Sequence, residues 1–220
     1  MGEKMDGDAG DIWVEAWLAI WVRPRATMRR IVDTDPRKFA VGIAFVAGAL
    51  AMLNIRSGMF GAPMPRMHLR MPPIGPFSLA LTALFMGGVS VALLYAFGAL
   101  YRWSGAMLGG TADAVKVRAA LAWSQVPGIY LTIVGIIAAA LGTVPAASAR
   151  SSTHSPLALL DGGVAIWAFV ISLKCLGEAH GFSAWRALGA ILLGLLAILI
   201  VVFGVAITIW LAMAVGRALA

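Results

Sequence analysis

Thirty consecutive residues, Ala187 to Gly216, carry no charge. In helix such a run rises about 45 Å, and a bilayer core needs only about 20 apolar residues. A helix apolar on every side belongs inside a membrane or a large core, and 220 residues provide one compact unit at most. The composition decides for the membrane. Hydrophobic residues make up 61% of the chain and charged residues 12%, against about 45–50% and about 25% in soluble domains.

Four further apolar runs stand ahead of the first: Phe39–Ile55, Pro76–Tyr101, Ala119–Ala149 and Leu157–Leu176, the last containing Asp161 and Lys174. The expected fold is therefore all-α, an integral membrane bundle of five transmembrane helices with an N-terminal amphipathic interfacial helix. Residues 1–10 read as a disordered acidic N-terminus, 11–37 as the interfacial helix and 38–216 as the five-helix domain. Pro63, Pro65, Pro72 and Pro73 mark one linker and "SARSSTHSP", Ser148–Pro156, another. Met1–Gly10 has neither the basic start nor the apolar stretch of a signal peptide, so the first span is expected to direct insertion.

The formal charge of +7 comes from thirteen Arg and four Lys. In a membrane protein this reports topology or anionic lipid, and no nucleic acid partner is expected. With the N-terminus cytoplasmic, twelve basic residues fall inside and five outside, which favours N-in, C-out. The single Cys175 excludes an intramolecular disulfide. High Arg, Ala and Gly contents point to a bacterial cytoplasmic membrane.

In "DIWVEAWLAIWVRPRATMRRIVD" Trp13, Trp17 and Trp21 stand four apart and share one helical face, and Arg23, Arg25, Arg29 and Arg30 follow. Trp suits the interface and Arg attracts anionic headgroups, so these seven residues are assigned to the lipid surface. Packing of the tryptophans on the bundle is the alternative. In "LGGTADAVKVRAALAWSQVPGIY" Thr111 is the expected cap of a second amphipathic helix, with Asp113 in its first turn. Gln125 precedes Pro127, where it can satisfy backbone groups the proline frees. Asp161 and Lys174 are the other candidate polar groups within the spans.

"LKCLGEAHGFSAWRALGAILL" holds the candidate functional turn: Glu178, His180, Ser183, Trp185 and Arg186. A Glu–His pair can supply base and orienter. However, two residues apart on one helix they face different ways, and neither a second His nor an acidic cluster gives metal spacing. Gly181 as a helix end, Ser183 as a cap and Trp185–Arg186 as interface anchors account for the same residues structurally. No catalytic residue, cofactor or metal is assigned.

Taken together, the Trp- and Arg-rich N-terminal helix with its proline, the glycine pair opening an amphipathic helix, "AWSQVP" entering a span, and "hgfs..rAl" between the last two spans resemble the Yip family. These are five-span membrane proteins named for interaction with Ypt/Rab GTPases. The resemblance covers Trp13 to Val215 and implies five helices with a cytoplasmic N-terminus. Eukaryotic members carry a long cytoplasmic N-terminal region, whereas about 35 residues precede the first span here. A Rab-type GTPase is thus an expected partner only for a eukaryotic chain. The expected function is that of a non-enzymatic membrane adaptor or scaffold, with anionic lipids and a membrane or cytoplasmic protein as partners. A lipid-handling or small-solute transporter and a membrane-embedded enzyme are the alternatives.

Overall fold

The computed structural model describes residues 3–57, 75–141 and 156–219. Every regular element among them is a helix: α1 (Glu3–Val22), α2 (Pro24–Thr34), α3 (Ala40–Ser57), α4 (Pro76–Met107), α5 (Ala114–Trp123), α6 (Val126–Ala140), α7 (Pro156–His180) and α8 (Ala184–Leu219). Four stretches of the described residues are long and apolar enough to cross a bilayer: Pro76–Met107, Ala114–Ile137, Gly162–His180 and Ala184–Arg217. The remaining expected span, α3, has a shorter apolar part, Ala40–Ala51, and packs along α4.

Small residues let the helices close on one another. At Gly48 an added Cβ would collide with Ser90 of α4, and at Gly87 it would lie 2.6 Å from the Phe45 ring. Gly194 of α8 accommodates Tyr101 in the same way, at 3.0 Å. The third span is broken. Gln125 N–H turns back to the Ala122 carbonyl, which leaves the Leu121 carbonyl without its usual partner. The Ser124 hydroxyl, at 2.9 Å, and the Gln125 side-chain amide, at 3.4 Å, donate to it instead. Pro127 follows in the first turn of α6, where a missing N–H costs least.

The interfacial segment is two helices, broken at Arg23–Pro24 as a proline there leads one to expect, because proline is favoured at a first helical position. It differs from expectation in two ways. Helix starts at Glu3, not after residue 10; acids near a helix N-terminus suit its dipole. Most important, the tryptophan face looks inward. Trp13 is buried and stacks on Trp123 at 6.0 Å. Trp17 meets Trp123 at 5.6 Å and Tyr130 at 6.3 Å, and Trp21 meets Tyr130 at 6.2 Å. The outward apolar stripe is Val14, Leu18 and Val22, all strongly exposed.

The core is gathered where α1, α2 and α5 pack against the ends of the spans. Ile20, Met28, Ile31, Val117, Trp123, Val126, Ile171 and Cys175 are all fully enclosed there. Away from this basic end the helices separate, and from Val201 to Arg217 every residue of α8 is exposed.

Candidate functional site

The corner between α7 and α8 is built by its backbone first. Gly181 takes φ 74°, a conformation that side chains disfavour, and the chain closes with Phe182 N–H on the Gly177 carbonyl at 2.9 Å and Gly181 N–H on the Glu178 carbonyl at 3.1 Å. These two bonds form a Schellman end. The end of α4 repeats it, with Gly109 at φ 84°, Gly110 N–H on the Gly105 carbonyl at 2.8 Å and Gly109 N–H on the Ala106 carbonyl at 3.0 Å. The glycine pair therefore closes α4. The cap of α5 is Asp113, which accepts from Lys116 N–H at 2.8 Å, in place of Thr111; an Asp directly before Ala114 serves as well as Thr. Thr111 instead joins the two corners, donating its N–H to the His180 carbonyl at 3.3 Å.

His180 sits between the corners and is 1% exposed. Its ring lies parallel to Phe182, centroids 5.0 Å apart. Gly105 and Gly110 also lie against it: an added Cβ at either would run into the imidazole, and at Gly110 into the Phe182 ring too. The Tyr101 carbonyl lies beside the ring, but neither nitrogen closes a well-formed hydrogen bond among the described residues. Glu178 points elsewhere. Its Oε1 accepts from Arg29 Nε of α2 at 2.7 Å, and this bond, then the charge behind it, raises the Arg29 guanidinium above its ordinary range. Arg25 donates to the Phe182 carbonyl at 3.3 Å, while Arg30 pairs with Glu15 at 3.2 Å. Ser183 Oγ accepts from Arg186 N–H at 3.4 Å, a long capping bond, and Trp185 and Arg186 are exposed.

Glu178 and His180 thus face different neighbours, the Arg29 guanidinium and the Phe182 ring. The hydroxyls on either side in sequence, which could in principle supply a nucleophile, are also engaged: Ser172 donates to the Ala168 carbonyl at 3.0 Å and Ser183 caps α8. Cys175 is buried. Among the described residues no three His, Cys, Asp or Glu side chains gather as a metal site.

The intramembrane candidates are scattered. Lys174 lies over the Trp167 ring at 5.4 Å, and Trp167 in turn donates to the Trp21 carbonyl at 3.2 Å. Gln125 lines a cavity of about 230 Å³ between α3, α6 and α7, together with Ser124, Thr132 and Ala168. Asp161 belongs to α7, and its side chain lies outside the described residues. The pairing of α2 with the corner was not visible in the sequence, because Arg29 and Glu178 are 149 residues apart. The cradle of glycines around His180 had one sequence signal, the Gly109–Gly110 pair.

The family model of the Yip1 domain matches residues 18–214. This chain belongs to the Yip1 domain family. The match runs from α1 to α8 and includes both glycine corners. No curated protein and no solved structure matches the chain. Helices, spans and family together make this Yip1 domain protein an integral membrane protein.

Proposed function

We propose that the protein is a non-catalytic membrane adaptor, presenting one surface built from α2 and the α7–α8 corner to a protein partner. The observation that carries this is the double fastening of the two elements, by Arg29–Glu178 and Arg25–Phe182. It engages Glu178, one of the two groups that chemistry would need, and leaves Arg23, Arg30, Trp185 and Arg186 exposed. Exposed aromatic and Arg side chains on a rigid base suit recognition. The arginines of α2 also suit anionic headgroups at the same surface. The charge asymmetry supports an N-terminus in the cytoplasm, and the composition a bacterial cytoplasmic membrane.

A photo-crosslinker at position 185 in native membranes tests this. A discrete protein adduct is expected there, absent from position 200 on the outward face of α8 and abolished by Arg186→Glu. Suppose instead that Glu178→Gln and His180→Ala accumulate normally, keep the adduct and still fail to complement a deletion. A chemical role would then replace the adaptor. The cavity at Gln125 favours a second function, lipid handling. Gln125→Leu with impaired lipid movement and an intact adduct would support that alternative.

A further inference from the structure

Arg118 and Arg37 meet at a pocket that no role above uses. It lies between the α2–α3 junction, α4 and α5, holds about 230 Å³, and is lined by both arginines with Val41, Leu94, Tyr95 and Val115 among others. The junction that brings Arg37 there is held open by Phe39, whose φ of 63° is rare for a residue with a side chain. Phe39 packs edge-on against Trp13 at 5.5 Å, and the Lys38 ammonium lies over both rings.

The Arg118 guanidinium lies on the Tyr95 ring, 4.6 Å from its centroid. Its stem crosses α4 at buried Gly98, where a Cβ would come within 2.6 Å of Arg118 Cγ. Arg118 is half-buried inside the span Ala114–Ile137. Arginine carries its charge wherever it sits, and a charge within a span needs a partner. Among the described residues neither Arg118 nor Arg37 has an ion pair. No carboxylate lines the pocket. Of the three acids nearby in sequence, two are turned to backbone, Asp113 to Lys116 N–H and Asp35 to Arg37 N–H, and Asp33 acts on Arg29 and does not line the pocket.

We propose that this pocket binds the phosphate of an anionic phospholipid, gripped by Arg118 and Arg37. Two guanidinium forks and no carboxylate match a phosphate. The other wall is apolar, and Val41, Leu93 and Tyr95 beside it are exposed on the lipid-facing flanks of α3 and α4. Tyr95 lies seven residues before Arg102, about 10 Å further along α4. A lipid headgroup with its glycerol and acyl chains reaches that depth, and a free ion in water does not. The site stands apart from the adaptor surface, so either assignment can fail alone.

The test uses the full chain purified in a neutral detergent and exposed to phosphatidylglycerol, phosphatidylcholine or inorganic phosphate. Retained lipid is read by native mass spectrometry and stabilisation by thermal melting. Phosphatidylglycerol should be retained over phosphatidylcholine. The double variant Arg118→Gln/Arg37→Gln should weaken retention about tenfold, the scale of one charge-assisted hydrogen bond. Gly98→Ala leaves the net charge unchanged but displaces the Arg118 stem, so it should also lower retention, which general charge attraction would not predict. Arg102→Gln/Arg217→Gln, which removes two exposed positive charges away from the pocket, should retain lipid as the parent does. Should the double variant fail to accumulate, Arg118→Lys, which keeps the charge and loses the fork, takes its place with the same expected direction. Equal retention by the parent and the Arg118 variants overturns the proposal. So does an equal loss in the Arg102/Arg217 control. An Arg118-dependent melting shift with inorganic phosphate as large as with phosphatidylglycerol overturns the lipid in favour of a free anion.

Discussion

Gly105→Ala should change sign with its neighbour. In an ordinary helix, replacing glycine by alanine stabilises by about 1 kcal/mol. Gly105 lies in the last turn of α4 without a positive φ, so that gain applies there. However, the three nearest atoms to a new Cβ all belong to the His180 imidazole, which is buried and packed against Phe182 and Gly110. Overpacking of this kind costs about 1–3 kcal/mol. The single variant should therefore be destabilised by about 0–2 kcal/mol, the difference of the two effects. In a His180→Ala background the collision is gone and only the helix gain remains, so Gly105→Ala should stabilise by about 1 kcal/mol. The coupling across the cycle should be about 1–3 kcal/mol. Unfolding of the four purified proteins in mixed detergent, followed by tryptophan fluorescence, measures it. A cost for Gly105→Ala that is equal in both backgrounds, within about 0.5 kcal/mol, would refute the cradle around His180.

Three further outcomes are expected. Trp13→Ala should cost about 3–5 kcal/mol, as for a large core aromatic, while Leu18→Ala on the outward face of the same helix should stay within about 0.5 kcal/mol; the reverse order in thermal melts would mean that α1 turns its tryptophans to lipid. Arg29→Glu and Glu178→Arg should each raise hydrogen exchange in α2, and the double reversal should restore protection; no restoration would show that the pair does not fasten the helix. Reporter fusions after Gly110 and after Ala220 should lie on opposite sides of the membrane, and a common side would sink the expected orientation.

The spans were legible because a bilayer imposes a length and excludes charge, and both are written locally. The break in the third span was legible only in its neighbourhood: Pro127 marks the place, but the carbonyl that Gln125 serves, Leu121, is freed by the turn of the Gln125 N–H to Ala122 and not by the proline. The direction of α1 was not legible. Spacing puts Trp13, Trp17 and Trp21 on one face, but lipid and protein core are equally apolar, so the pattern alone cannot say which of them that face meets. The deciding fact is the aromatic layer supplied by Trp123 and Tyr130, more than a hundred residues away. The same holds at the candidate turn. Ser183 and Gly181 act on their own neighbours and can be read in place. Glu178 and His180 are placed by Arg29, Gly105 and Gly110, partners that only the folded chain brings near.

Helix α1 is apolar on two sides, with the tryptophans turned to the bundle and Val14, Leu18 and Val22 turned away, and it keeps a charged edge at Glu15, paired with Arg30. Such a helix has no stable home in water or at mid-bilayer. It behaves as a float, with a waterline along the Glu15–Arg30 edge, and because its aromatic face is locked to α5 and α6 it fixes the height at which the whole bundle rides. A membrane that thins or thickens then cannot be met by sliding the protein up or down. The mismatch has to be taken up at the far ends of the spans, above all by the unsupported length of α8 beyond Val201, which is free to tilt.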